Sequence, residues 1–174
     1  MEEAGIIFNA DEAFALAEQI ERNGQEFYHS ASEMTSGCGG NVAGLLSDLA
    51  DWEATHEQRF AAMRDQLSEE DRKPTAFDPQ GESEMYLQAM ADGHVFKVGT
   101  DPSTVLSTCG NAEEIIQAAL SFETDTILFF LGLEDLIPQR MGKDKIAEII
   151  GEEKRHVAFL KRQLKELQDE REQS

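Results

Sequence analysis

Four long segments of the chain repeat apolar residues at intervals of three and four, the spacing that places them on one face of an α-helix. These segments are 11–34, 42–67, 111–136 and 143–170. Polar or Gly-rich stretches separate them, and no segment alternates apolar and polar residues as a half-buried strand would. The C-terminal tail QDEREQS is expected to fray. The pattern therefore predicts an all-α protein.

The lengths of the connections predict how these helices are arranged. The first and second helices, and the third and fourth, are joined by short segments, whereas residues 68–110 separate the second helix from the third. That long segment contains three of the four prolines and a short helical pattern, ESEMYLQAMADGHVF. Short, long and short connections are those of a ferritin-like four-helix bundle with a long crossover that contains a short helix. We expect residues 1–174 to form this single domain.

The two halves of the chain repeat each other. The segment IERNGQEFY aligns with FETDTILFF, and LADWEATHEQRF aligns with IIGEEKRHVAFL. Each half therefore carries one glutamate and, about thirty residues later, a Glu-x-x-His motif. The repeated residues are Glu21, Glu53 and His56 in the first half and Glu123, Glu153 and His156 in the second half.

Helical geometry predicts that these six side chains face the core. At about 100° per residue, each lies on the same helix face as large apolar residues. Glu26 and His29 also form a Glu-x-x-His motif, but they point about 80° to 140° away from Glu21, outside the apolar stripe. We therefore expect Glu26 and His29 to be solvated.

Four carboxylates and two imidazoles in an apolar interior require a cation. Each unpaired buried charge lowers the stability of the fold by on the order of several kcal/mol. Two divalent ions would balance four carboxylates and leave the imidazoles neutral, as nitrogen ligands must be. A mixed oxygen and nitrogen ligand set suits iron or manganese. The sequence therefore predicts a dinuclear metal site.

The ordered motifs IERNGQEFY, EATH, FETDTILFF and EEKRH resemble the ferritin-like domain of the rubrerythrin family, and the likeness covers nearly the whole chain. The resemblance implies a non-haem di-iron centre that reacts with hydrogen peroxide or dioxygen. It assigns the two iron ions, for which manganese or zinc can substitute, to the same six residues. It also implies a homodimer.

Two features of the sequence differ from the family pattern. Full-length rubrerythrins carry a rubredoxin domain with cysteine pairs, whereas Cys38 and Cys109 form no C-x-x-C motif here, so the resemblance implies an external electron-donor protein. The family also carries a further carboxylate one turn before the third-helix glutamate, and that position is Leu120. Two alternatives stay open: a ferroxidase or iron-handling protein, and a non-catalytic metal-stabilised bundle.

Other polar residues are candidates for supporting roles. Tyr28, on the Glu21 face, could hydrogen-bond a ligand or pass an electron, or it could be only a core residue. Asp125 and Glu152 could orient the histidine nitrogens, although most such charges on a bundle are solvated. We expect Cys38 and Cys109 to lie toward the same end of the bundle as free thiols.

The charge of the chain limits its partners and location. A net charge of −20 argues against binding to nucleic acid or to an anionic membrane. No uninterrupted apolar run approaches the ~20 residues that span a bilayer, and no signal-peptide pattern opens the chain. The sequence therefore predicts a soluble, cytoplasmic protein.

Overall fold

The computed structural model describes residues 9–37, 41–73 and 112–173. The described residues contain α1 (Ala10–Thr35), α2 (Val42–Asp65), α3 (Ala112–Leu136), a short 3-10 helix (Gln139–Met141) and α4 (Lys143–Glu172). They contain no strand, which confirms the all-α prediction. The predicted crossover helix, Cys38 and Cys109 lie outside the described residues.

Ion pairs between helix ends define the directions of the helices. Arg64, near the end of α2, donates to Asp11 at the start of α1 with a distance of 3.0 Å. Arg171, near the end of α4, lies 3.1 Å from Glu113 at the start of α3. Each of these two helix pairs is therefore an antiparallel hairpin, as the short connections predict.

Across the two hairpins, α2 and α4 are also antiparallel. Lys145, near the start of α4, donates to Gln66 just after α2 with a distance of 3.3 Å. Since α4 runs opposite to both α2 and α3, α2 and α3 run in the same direction. A helix of 25 residues such as α3 is about 37 Å long, so the chain must return over that distance between α2 and α3. The parallel directions of α2 and α3 are those of a bundle with a long crossover, as the sequence predicts.

The core lies along the axis of the bundle and receives large side chains from all four helices. The largest fully buried apolar and aromatic side chains are Phe14, Ile20, Tyr28, Leu46, Leu49, Phe60, Phe130, Ile146, Ile149 and Leu160. Full burial of one such aliphatic or phenyl side chain stabilises the fold by roughly 1.5 to 3 kcal/mol. These side chains pack the interior of the bundle on both sides of the polar centre described below.

Where the helix ends differ from their predicted positions, they do so by one or two residues. The helix α1 begins at Ala10 because Asn9 forms a capping box: its side chain accepts from the Glu12 N–H at 2.8 Å, and its N–H donates to the Glu12 carboxylate at 2.9 Å. The helix α2 ends at Asp65 rather than residue 67. There the Leu67 N–H donates to the Arg64 carbonyl three residues earlier, so the last turn is of the tighter 3-10 type.

The prediction of a frayed tail is wrong for most of QDEREQS, because α4 continues to Glu172. Arg171 and Gln168 both contact Glu113 of α3, at 3.1 and 3.5 Å. These contacts between helices hold the last turn of α4, and sequence periodicity within one helix cannot reveal them.

Among the described helices, α3 is long and apolar enough to cross a membrane by length and composition. The core helix of a soluble bundle meets the same criterion. The absence of a long uninterrupted apolar run in the sequence therefore does not by itself exclude that α3 crosses a membrane. In this bundle α3 places the buried carboxylate of Glu123 in the core.

Candidate metal centre

The six predicted ligand side chains come together near the middle of the bundle. Glu21 comes from α1, Glu53 and His56 from α2, Glu123 from α3, and Glu153 and His156 from α4. All six residues are buried, from 0% exposed for Glu21 to 8% for His156. Since Glu-x-x-His occupies i and i+3, each motif presents both of its side chains on one helix face.

The ligand atoms form two overlapping groups, which we call position 1 and position 2. Position 1 consists of Glu21, Glu53, His56 and Glu153, and position 2 consists of Glu53, Glu123, Glu153 and His156. Within each group, one ligand atom per residue lies within 4.8 Å of all the others. Glu53 and Glu153 belong to both groups, so their carboxylates are placed to bridge two ions. The described residues thus offer two overlapping four-residue sets, each of which could hold one metal ion.

The Nδ1 atoms of both imidazoles face the carboxylates. His56 Nδ1 lies 2.6 Å from Glu153 Oε1, and His156 Nδ1 lies 2.9 Å from Glu153 Oε2. The terminal carboxylates are slightly farther away, with Glu21 3.9 Å from His56 Nδ1 and Glu123 3.6 Å from His156 Nδ1. Nδ1 is therefore the imidazole nitrogen that each histidine could offer to a metal ion.

Five buried polar atoms of this cluster have no hydrogen-bond partner. They are both carboxylate oxygens of Glu21, His56 Nδ1, Glu123 Oε2 and Glu153 Oε1. The close contact of His56 Nδ1 with Glu153 lies off the line that a hydrogen bond needs. A buried polar atom without a partner costs about 1 to 3 kcal/mol. These atoms lie close to one another in the two ligand groups, and a cation between them would give each atom a partner.

Burial and mutual repulsion change the proton affinities of the carboxylates. Burial, followed by repulsion from neighbouring glutamates, raises the pKa values of Glu21 and Glu53 well above the usual range. Burial also raises the pKa of Glu123 to about 7. Burial acts on Glu153 in the same sense, but its contacts with His156 and His56 outweigh burial and lower its pKa below the usual range. In the absence of metal, protons therefore replace the missing cations.

The imidazoles gain proton affinity from the same contacts. Burial opposes the charged form of His156, but Glu123 and Glu153 outweigh it and raise its pKa to about 10. The pKa of His56 is also raised, because Glu153 outweighs burial. Metal binding must displace these protons, so affinity for metal falls at low pH.

Tyr28 donates a hydrogen bond from its hydroxyl to Glu123 Oε1 at 2.8 Å, deep in the bundle. Burial and the neighbouring Glu123 raise the pKa of Tyr28 well above its usual value, which keeps the phenol protonated as a donor. Tyr28 thus orients one of the candidate ligands. A catalytic role for Tyr28 stays a prediction.

Glu152 lies behind His56, on the side away from the carboxylate cluster. Its Oε2 is 2.9 Å from His56 Nε2 and accepts from Arg59 Nη1 at 2.8 Å. Burial raises the pKa of Glu152, but the bonds with His56 and Arg59 outweigh it and lower that pKa. Glu152 is thus an acceptor for a histidine, as the sequence suggested, whereas Asp125 is exposed.

Arg59 and Trp52 are contacts that the sequence reading did not find. Arg59 lies one turn after His56 and donates a hydrogen bond to Glu152. A basic residue at that spacing from His56 is the sequence signal that could have indicated this contact. The Trp52 indole stacks on the His156 ring, with centroids 4.4 Å apart and planes at 16°.

A groove of about 500 Å³ reaches both histidines from outside and is lined by Trp52, Phe159 and Arg162, among others.

The remaining candidates lie where the sequence places them. Glu26 is exposed, and the side chain of His29 is 68% exposed and lies 3.7 Å from Glu33, so this third Glu-x-x-His is separate from the cluster. Leu120 is buried one turn before Glu123, at the position where the rubrerythrin pattern has a further carboxylate.

Comparison with solved structures defines the class of fold. The chain is similar to the crystal structure of a Thermotoga maritima protein described as a "ferritin-like diiron-carboxylate protein", with a TM-score of 0.65, 23% sequence identity, and coverage of 91% of this chain and 96% of that one. This chain therefore has the ferritin-like fold. No protein-family profile and no curated protein matches the sequence. Membership of the rubrerythrin family stays a prediction.

Proposed function

We propose that this protein holds two iron ions at positions 1 and 2 and works as a di-iron oxidoreductase. The observation that carries the proposal is the pair of overlapping ligand groups that share Glu53 and Glu153. The ligand atoms without hydrogen-bond partners supply the second argument, because two cations held between them would satisfy all five atoms at once.

The charges and the donor types fit two divalent ions. Four carboxylates carry four negative charges when they are ionised, and two divalent ions balance them. Two nitrogen donors with the remaining donors oxygen suit iron or manganese rather than a thiolate-preferring metal. The similar T. maritima structure, which is described as diiron-carboxylate, supports iron as the first choice.

We propose hydrogen peroxide as the oxidant, with dioxygen as an alternative. Two ferrous ions held by these six residues would supply the two electrons that, with two protons, reduce one hydrogen peroxide molecule to two water molecules. The protein contributes bridging carboxylates, two imidazoles held by α2 and α4, and the Tyr28 hydroxyl that fixes Glu123. An external electron-donor protein would restore the electrons. A homodimer remains our expectation from the family resemblance, and a cytoplasmic location remains our expectation from the sequence.

A ferroxidase or iron-handling protein is the second candidate, and Leu120 is the observation that favours it. Without the further carboxylate of the rubrerythrin pattern, the four-ligand set of position 2 gains no oxygen donor from the turn before Glu123. A position with fewer ligands exchanges iron more readily. In this case Fe²⁺ is itself the substrate.

One experiment distinguishes these activities. Protein loaded with two Fe²⁺ per chain without oxygen is mixed with hydrogen peroxide and a chemical reductant, and both peroxide consumption and bound iron are measured over many turnovers. Sustained peroxide consumption with two irons retained supports the oxidoreductase. Accumulation of iron beyond two ions per chain favours iron handling. Two retained irons with consumption of neither peroxide nor, in a parallel run, dioxygen would overturn both activities in favour of a metal-stabilised bundle.

A further inference from the structure

We propose that a basic stripe on α4, beside the groove that reaches both histidines, is the docking surface for an acidic electron-donor protein. The stripe consists of Lys154, Arg155, Lys161, Arg162 and Lys165. This inference rests on the proposed di-iron function, because a centre that turns over needs a donor. It adds the place where the donor binds and the charge that the donor's surface must carry.

The stripe is a positive surface on a strongly acidic chain. The chain has 15 basic and 35 acidic residues, yet residues 154–165 contain five basic residues and no acidic one. All five are exposed, and at about 100° per residue they fall within about 120° of the circumference of α4. The helix therefore gathers these charges on one outward face.

The charges of the stripe are not used to hold the helices together. The six arginines outside the stripe all form ion pairs with acidic side chains. Within the described part of the chain, the only ion pair of the stripe joins Arg155 to Glu152, at 3.7 Å. Lys161 and Lys165 lie one turn apart and repel each other. An acidic partner surface would remove that repulsion.

The stripe borders the groove that leads to the candidate metal centre. Arg155 and Arg162 line this groove. Asp48 and Glu152 line it too, so the excess of positive charge lies on the stripe rather than throughout the groove. A partner held by the stripe therefore covers the mouth of the groove.

Trp52 connects this groove to the metal centre. The indole lines the groove and stacks on the ring of His156, a candidate ligand at position 2, with centroids 4.4 Å apart. A donor on the stripe thus lies beside an aromatic side chain that contacts a ligand. The donor passes one electron by this route and is oxidised, and no covalent bond forms or breaks. Two such transfers restore the two electrons that one peroxide molecule consumes.

The charge pattern indicates which class of donor fits. Small iron–sulfur proteins supply electrons one at a time. An acidic protein of this class is attracted by the stripe and repelled by the acidic remainder of this chain, so complementary charge fixes its orientation and speeds its approach.

Binding tests the docking surface separately from activity. The probe is an oxidised plant-type ferredoxin of net negative charge, titrated by calorimetry into the metal-free and the iron-loaded chain. We expect binding to both forms, with an affinity that falls as salt is added. The double variant Lys161→Glu/Arg162→Glu should weaken binding at least about tenfold, because it places like charges against the probe.

Lys143→Glu/Lys145→Glu is the matched control, since it changes the net charge equally at the start of the same helix. Lys145 lies 16 residues before Lys161, or about 24 Å along α4. That separation exceeds the screening length of about 10 Å at an ionic strength of about 0.1 M. The control should therefore change the affinity for ferredoxin by less than about twofold. Thermal melting of each variant checks that the fold is kept.

Trp52 is tested by rapid mixing of reduced ferredoxin with the iron-loaded chain after its oxidation by peroxide. Trp52→Leu should slow the oxidation of saturating ferredoxin severalfold and leave the affinity unchanged, because it removes the contact with His156 and none of the charges. An unchanged rate would refute the route through Trp52.

The other outcomes separate this inference from the proposed function. Failure of the wild type to bind ferredoxin, or equal effects of the two double variants, would refute the docking surface while the di-iron centre stands. A changed oligomeric state in Lys161→Glu/Arg162→Glu, or binding of duplex DNA in place of ferredoxin, would reassign the stripe to a second copy or to nucleic acid. A chain that binds ferredoxin at the stripe and holds no iron would refute the proposed function instead.

Discussion

Glu153, like Glu53, belongs to both candidate ligand groups, and among the described carboxylates it alone contacts both histidines through its two oxygens. Its two oxygens lie 2.6 and 2.9 Å from the Nδ1 atoms of His56 and His156, and it belongs to both ligand groups. A buried carboxylate between two imidazoles is kept ionised by them when metal is absent. The same carboxylate can bridge two ions when metal is present, so its position serves both states.

At the same scale, the core aromatic residues have a measurable effect on stability. Phe60 is fully buried, and its ring centroid lies 5.0 Å from that of Phe130 and 6.4 Å from that of Phe14. We expect Phe60→Ala to lower the free energy of unfolding by about 3 to 5 kcal/mol, because it leaves a cavity between α1, α2 and α3.

Chemical denaturation of metal-free protein measures this effect. Leu128→Ala is the control, because Leu128 is 63% exposed and its removal leaves no cavity. The control should change the free energy of unfolding by no more than about 0.5 kcal/mol. Equal effects of the two substitutions would contradict the packing described here.

The inward direction of the six ligands could be predicted from the sequence, whereas their partners could not. Helical phase assigns Glu53 and His56 to the apolar face of α2 because nearby residues on one helix fix that face. The contacts of Glu152 with His56, and of Tyr28 with Glu123, join different helices. They depend on the rotation and separation of those helices, which periodicity within one helix does not determine.

At the scale of the helix, the turn into α4 depends on Gly142. This residue has φ of 101°, in the left-handed region, and it ends the 3-10 helix before α4 begins at Lys143. A Cβ there would also lie 3.3 Å from Met63 Sδ of α2. Both backbone strain and the close contact therefore favour glycine.

We expect Gly142→Ala to lower the free energy of unfolding by about 1 to 2 kcal/mol. Gly132→Ala is the matched comparison, since Gly132 is helical in α3 and a Cβ there meets nothing within 4 Å. That substitution should raise the free energy of unfolding by about 0.5 to 1 kcal/mol. Thermal melting of both variants should give shifts of opposite sign, and shifts of the same sign would refute this account of the turn.

Helix boundaries show the same division between local and non-local information. The starts of α2 and α4 match the prediction, because the change from polar turn to apolar repeat is local in sequence. The capping box at Asn9 and the continuation of α4 past residue 170 were missed. The first requires a specific side-chain geometry, and the second depends on Glu113 of another helix.

For the whole molecule, the metal-free centre links stability to pH. Glu21, Glu53 and Glu123 have raised pKa values in the folded protein, as do His56 and His156. Between about pH 5 and pH 9 the folded chain therefore binds more protons than the unfolded chain. Under this condition the free energy of unfolding falls as the pH rises. The lowered pKa of Glu153 has the opposite effect on the free energy of unfolding. That effect arises only below about pH 4.5, the pKa of a glutamate in the unfolded chain.

Metal-free protein should accordingly melt at a lower temperature at pH 9 than at pH 5, at constant ionic strength. Glu123→Gln removes a group whose pKa rises from 4.5 to about 7 and should make the decline between these pH values shallower. Glu26→Gln, at an exposed carboxylate, should leave the decline unchanged. A melting temperature that rises from pH 5 to pH 9, or equal slopes for both variants, would be inconsistent with the buried acidic centre.

The central claim, that the six side chains hold two metal ions, is tested most directly by the iron content of protein reconstituted without oxygen. The measurement compares the wild-type chain with Glu153→Ala and with Glu26→Ala, which alters the exposed Glu-x-x-His motif. We predict two irons per chain for the wild type and for Glu26→Ala. Glu153→Ala should retain fewer than one, because both positions lose a ligand and the bridge. Two irons per chain in Glu153→Ala, or none in the wild type, would contradict the account.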